Sequence, residues 1–164
     1  MEIKSIKTEF QVFENHNELP ADIAHLLEKA REAAMNAYAR YSHFKVGAAI
    51  LLENGEIVIG SNQENAAYPS GTCAERTAAF YASARYPNVP FKKIAVISVN
   101  PDKQNIDPTA PCGSCRQVLI EYEQKSNCKL QVIISSALGK TYVFDSAEDI
   151  LPFSFHAGFL PEEQ

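Results

Sequence analysis

Cys73-Ala74-Glu75 and Pro111-Cys112-Gly113-Ser114-Cys115 set the tightest constraint on what this chain can fold into. The three sulfurs have metal-ligand spacing, so two distant segments must meet at one point. Cys112 and Cys115 stand at i and i+3, so both can face one point from the first turn of a helix. The proline before them helps to set that helix start. Cys73, 39 residues earlier, is expected at the start of another helix. The fold must therefore bring two helix N-termini together.

Zinc held by three protein ligands keeps a fourth position for water, which separates catalytic sites from closed structural ones. It lowers the pKa of that water from about 15.7 toward about 7. Three thiolates on Zn2+ leave one negative charge in excess, which positive helix ends offset. Arg76 is placed to donate hydrogen bonds to a thiolate for the same reason. Glu75 is held back from the metal and is placed to move protons. One carboxylate can take a proton from water, return it to a ring nitrogen, and later protonate a departing amine, because the transfers are sequential. C-x-E with P-C-x-x-C is the pattern of zinc deaminases, in which water attacks C4 of a cytosine ring. A closed four-sulfur site recruiting Cys128 is the structural alternative. Cys128 has no C-x-x-C partner, so a small buried thiol is the simpler reading. A redox-active Cys112/Cys115 pair would leave Cys73 and Glu75 without a task.

The formal charge of −5 and the lack of a long Lys/Arg cluster argue against nucleic-acid binding. A small substrate is favoured. Residues 1–13 mix Lys4 and Lys7 with Glu2 and Glu9 and precede no apolar core, so no secretory signal is expected. No apolar run is long enough to span a membrane. Reduced thiols in ligand spacing fit a cytoplasmic location.

Ile6, Thr8, Phe10 and Val12 alternate, predicting a short strand in an N-terminal extension over residues 1–18. A single catalytic domain is expected over 19–164. Pro20 opens a helix over about 20–40, with Ile23, Leu26, Leu27, Ala30, Ala34 and Tyr38 as its apolar stripe. Strands are predicted over 46–53 and 56–62, joined by Asn54-Gly55, a strong hairpin signal. A helix over about 73–86, a buried strand over 93–99, a loop over 100–111 and a helix over about 112–124 follow. Strands over 130–135 and 140–144 should be antiparallel neighbours, and Ser146 to Asp149 resembles a helix cap. This order predicts a three-layer α/β/α sandwich around a mixed sheet of about five strands.

The chain resembles the cytidine deaminases, specifically their short homotetrameric type. The likeness rests on Tyr41-Ser42-His43-Phe44-Lys45-Val46-Gly47-Ala48-Ala49, on Asn62-Gln63-Glu64-Asn65-Ala66-Ala67-Tyr68, and on Thr72-Cys73-Ala74-Glu75-Arg76-Thr77. It continues through Ala110-Pro111-Cys112-Gly113-Ser114-Cys115-Arg116-Gln117-Val118 and Ile150-Leu151-Pro152-Phe153-Ser154-Phe155. The resemblance implies one zinc per subunit and deamination of cytidine and 2′-deoxycytidine in pyrimidine salvage. It implies that Asn62 and Glu64 bind the ribose hydroxyls and that Phe44 stacks on the pyrimidine. The Ala74 backbone N–H would meet the pyrimidine carbonyl. Tyr68 and Phe155 would act across subunit boundaries, on the ribose 5′ end and over the base. His16, His25, His43 and His156 are read as surface or packed residues, not ligands. A deaminase of another cytosine-like nucleoside, such as blasticidin S, is the nearest alternative. Such relatives need not keep Asn-x-Glu. A zinc-stabilised interaction module is the non-enzymatic one. The long N-terminal stretch, Pro69 and Gly71 in the loop entering the site, and a long 100–110 segment depart from the pattern without removing a chemical residue.

Overall fold

Period-two alternation along the central strands gives the sheet two apolar faces, and helices cover both. The computed structural model describes residues 1–99 and 107–161. In chain order the elements are β1 (Gln11–Phe13), α1 (Ala21–Met35), β2 (Lys45–Leu52), β3 (Ile57–Ser61) and α2 (Ala74–Arg85). They continue with β4 (Phe91–Val99), α3 (Gly113–Ser126), β5 (Gln131–Ser136) and β6 (Thr141–Phe144). The sheet order is β1-β6-β5-β4-β2-β3. β4 and β5 run parallel, and the other pairings are antiparallel.

The mixed sheet thus has six strands where about five were expected, and the sixth is β1. Its pairing is shorter than the alternation from Ile6 suggests. β6 offers only four residues, and Gln11, Val12 and Phe13 pair with Val143, Tyr142 and Thr141. Phe10 instead stacks on Phe144 and meets Tyr142 with a tilted ring, at centroid distances of 5.0 and 5.2 Å. Residues 100–106 of the expected loop lie outside the described residues.

On one face α1 sets Ile23, Leu26, Leu27 and Ala30 against Ala49, Ala95, Ile97, Ile133 and Val143. On the other, α2 and α3 cover Ala48, Ile50, Leu52, Ile94, Val96, Val132 and Ile134. This is the predicted three-layer sandwich. Each fully buried Leu or Ile stabilises it by about 1.5–3 kcal/mol. α1 stops earlier than its stripe predicts. The Asn36 N–H bonds the Ala33 and Ala34 carbonyls, and Tyr38 leaves the helix to bridge Gln63. No helix among the described residues is long and apolar enough to cross a membrane.

Two details place the helix that carries Cys73 and the segment after β6. A Cβ on Gly60 would lie 2.5 Å from the Ala78 nitrogen and 2.8 Å from the Ala74 carbonyl oxygen. Only glycine lets α2 lie this close to β3. Second, the buried Glu123 carboxylate accepts hydrogen bonds from the Leu130 and Ala147 N–H groups (2.7 and 2.9 Å) and from the Ser146 hydroxyl (2.6 Å). It joins α3, the start of β5 and the turn after β6. That turn, Ala147–Ile150, carries the capping box anticipated at Ser146.

Candidate metal centre

The N-termini of α2 and α3 converge as the cysteine spacing requires. Cys73 is the N-cap of α2, Cys112 is the N-cap of α3, and Cys115 lies in the first turn of α3. The sulfurs of Cys73 and Cys112 are 4.0 Å apart, those of Cys112 and Cys115 3.5 Å, and all three lie within 4.8 Å of one another. Tetrahedral zinc with Zn–S bonds of about 2.3 Å separates its sulfurs by about 3.8 Å, so the trio fits that ion. All four cysteines are free thiols. Cys128 stands outside the trio, its sulfur 3.8 Å from the Lys129 carbonyl oxygen.

The electrostatics of the trio also suit a cation. A hydrogen bond from Cys115, and then one from Arg76, brings the Cys73 thiol down to about 5. The Arg76 Nη2 lies 3.9 Å from that sulfur, the contact expected for it. The Cys115 thiol, bonded to Cys73 and buried beside Glu75, is held above its ordinary value. Cys73 thus ionises readily while Cys115 resists ionisation, and a divalent cation is the group that would let Cys115 ionise beside it. Cys128→Ser should leave zinc content unaltered. Elemental analysis of the purified variant checks this, and loss of zinc would restore the four-sulfur reading.

Glu75 is only 5% exposed and lines a cavity of about 440 Å³ with Cys73, Cys112, Phe44, Asn62 and Glu64. Burial raises its pKa, and the nearby Cys73 thiolate adds to this. The Ala74 N–H, in the first turn of α2, has no helical carbonyl to bond. A second cavity of about 480 Å³ adjoins the first, sharing Ser42, Asn62, Glu64 and Cys73, and reaches Tyr68. Phe155 lies outside both cavities and is 57% exposed. The Phe155 carbonyl accepts a hydrogen bond from the Gln117 Nε2 at 2.7 Å.

Asn62 is committed locally in a way the sequence did not reveal. Its Oδ1 accepts from the Val46 N–H (2.8 Å) and its Nδ2 donates to the Phe44 carbonyl (3.0 Å). One N–H and one lone pair of the amide are left for a ligand. Arg116 is a further site residue that reasoning from sequence missed. It donates to the Pro111 and Ile150 carbonyls at 2.8 and 3.0 Å, tying the C-x-x-C turn to the C-terminal segment. Its place directly after Cys115 was the available signal. None of the four histidines joins the sulfur trio among the described residues. His16 meets the Ser135 hydroxyl at 2.9 Å, and the His156 ring accepts from the Gly158 N–H at 3.2 Å.

Residues 20–129 match the family model for the cytidine and deoxycytidylate deaminase zinc-binding region. A cytidine deaminase of Sporosarcina psychrophila is 44% identical over 101 residues, which is 62% of this chain and 70% of that protein. One from Mycobacterium tuberculosis is 33% identical over 135 residues, covering 82% and 90%. The crystal structure of cytidine deaminase from Burkholderia pseudomallei superposes with a TM-score of 0.70 at 43% identity, covering 80% of this chain and 97% of that one.

Proposed function

Because the chain belongs to the cytidine and deoxycytidylate deaminase family, we propose that it deaminates cytidine and 2′-deoxycytidine to uridine and 2′-deoxyuridine, as a step of pyrimidine salvage. Water adds at C4 of the base and ammonia leaves. The observation that carries this reading is a buried carboxylate, Glu75, on the first turn of the helix whose N-cap supplies one of three converging sulfurs.

Cys73, Cys112 and Cys115 hold one zinc ion per subunit. When bound, that ion supplies Lewis acidity toward water. Glu75 takes a proton from the attacking water and gives it to the ring nitrogen N3, then takes the proton of the new C4 hydroxyl and gives it to the departing amine as the C4 carbonyl forms and the C4–N bond breaks. Its raised pKa suits both taking and returning a proton. The Ala74 N–H bonds the pyrimidine carbonyl. Phe44 stacks on the ring, and the free amide positions of Asn62 and one lone pair of Glu64 bind the sugar. Arg76 steadies the Cys73 thiolate.

Tyr68 and Phe155 are 79% and 57% exposed, which supports their use at a subunit boundary. We assign the chain to a homotetramer whose neighbouring subunits complete each site, working in the cytoplasm. Residues 1–18 form an extension on a single catalytic domain.

Zinc content together with ammonia release from cytidine, deoxycytidine, cytosine and blasticidin S tests the reading. The two nucleosides should turn over, and cytosine should react far more slowly because the site's sugar-binding groups are left unpaired. Preferential turnover of blasticidin S would reassign the substrate. No turnover by zinc-loaded protein would favour an interaction module.

A further inference from the structure

Ser42 stands on the exposed turn between α1 and β2, yet its hydroxyl joins two groups of the proposed substrate pocket. It donates to the Glu64 Oε1 and accepts from the Phe44 N–H at 3.0 Å. The Glu64 Oε2 accepts from the Tyr41 and Ser42 N–H groups at 2.7 and 3.3 Å. His43, at φ +56°, supplies the left-handed residue that turns the chain back so that the Phe44 N–H reaches Ser42. Tyr41, Ser42 and His43 are all exposed, so little apolar packing holds this turn.

We infer that Ser42 is a positioning residue that sets substrate specificity, fixing the Glu64 carboxylate and the Phe44 ring in one geometry. A carboxylate has about four acceptor positions. Three are taken by this turn, which leaves one, on Oε1, directed by the Ser42 hydroxyl. Without that hydroxyl, Oε1 has no fixed partner and the Phe44 N–H loses its acceptor. The same hydrogen bond is the main reason the Glu64 carboxyl lies below its ordinary range. Ser42 lines both cavities, so the turn stands where base and sugar would meet. The inference rests on the reading that Glu64 binds a sugar hydroxyl.

Its test compares kcat/KM for cytidine with that for 2′,3′-dideoxycytidine, which lacks both ring hydroxyls of the sugar. Ser42→Ala should lower the ratio of the two by about 10-fold or more, the size expected for a hydrogen bond to a charged group. The loss for cytidine should fall mainly on KM, with zinc content unchanged. Ser42→Cys, similar in shape but a weak donor, should behave like Ser42→Ala, whereas Ser42→Thr should restore the ratio. A ratio that survives Ser42→Ala and Ser42→Cys but collapses in Glu64→Gln would overturn the role of Ser42 and leave the sugar reading intact. A ratio unchanged in Glu64→Gln as well would remove both.

Discussion

Glu75→Gln is expected to lower kcat by about 100- to 10,000-fold while zinc remains at one ion per chain. Glutamine keeps the size of the side chain and can still accept and donate hydrogen bonds. It cannot take a proton from water and hand it on. The cost should therefore fall on turnover, not on metal retention, because the three sulfurs are untouched. Folding should also survive. Burial opposes ionisation of Glu75, so a neutral amide removes a charge the interior disfavours. Steady-state kinetics beside elemental analysis distinguish the cases. An unchanged rate would exclude Glu75 as the proton carrier, and lost zinc would make it part of the coordination.

Cys115→Ser should have the opposite signature, with metal and turnover lost together. Structural zinc sites bind with about 10–16 kcal/mol, so one thiolate among a few ligands carries roughly 3 kcal/mol, or more than about 100-fold in affinity. Cys115 is fully buried in the first turn of α3, where serine leaves a poorer ligand and a hydroxyl in an enclosed place. Zinc content after dialysis and the thermal midpoint should both fall. Retained zinc with full turnover would show that Cys115 is not a ligand.

The sulfur trio was legible because the Cys112 and Cys115 pair is local and its ligand spacing demands a third partner. Residues at i and i+3 on a helix start face one point wherever that helix packs, and Cys73 had to join them to make a site. The central strands were legible as short apolar runs bounded by turn signals. What failed depends on distant partners. α1 ends before Tyr38 because Tyr38 pairs with Gln63, and no Gly or Pro marks that exit. β1 pairs with only three of the four residues of β6, and Phe10 packs on Phe144 by its ring instead. Asn62 shows its two hydrogen bonds, to the Val46 N–H and the Phe44 carbonyl, only once the loop is folded. Glu123 was not singled out by the sequence, although it shares a face with Leu119 and Ile120. Its role as a three-way anchor needed the C-terminal segment in place.

The turn that carries Cys112 and Cys115 also holds the segment after β6, through Arg116 on Ile150 and Gln117 on Phe155. Loss of the ion is expected to loosen that turn and its hold on residues 151–161. The side chains of Phe153, Phe155 and Phe159 are already exposed, so chymotrypsin needs only a freed backbone there, and faster clipping of this segment on zinc removal is the expected gauge of metal occupancy that needs no substrate.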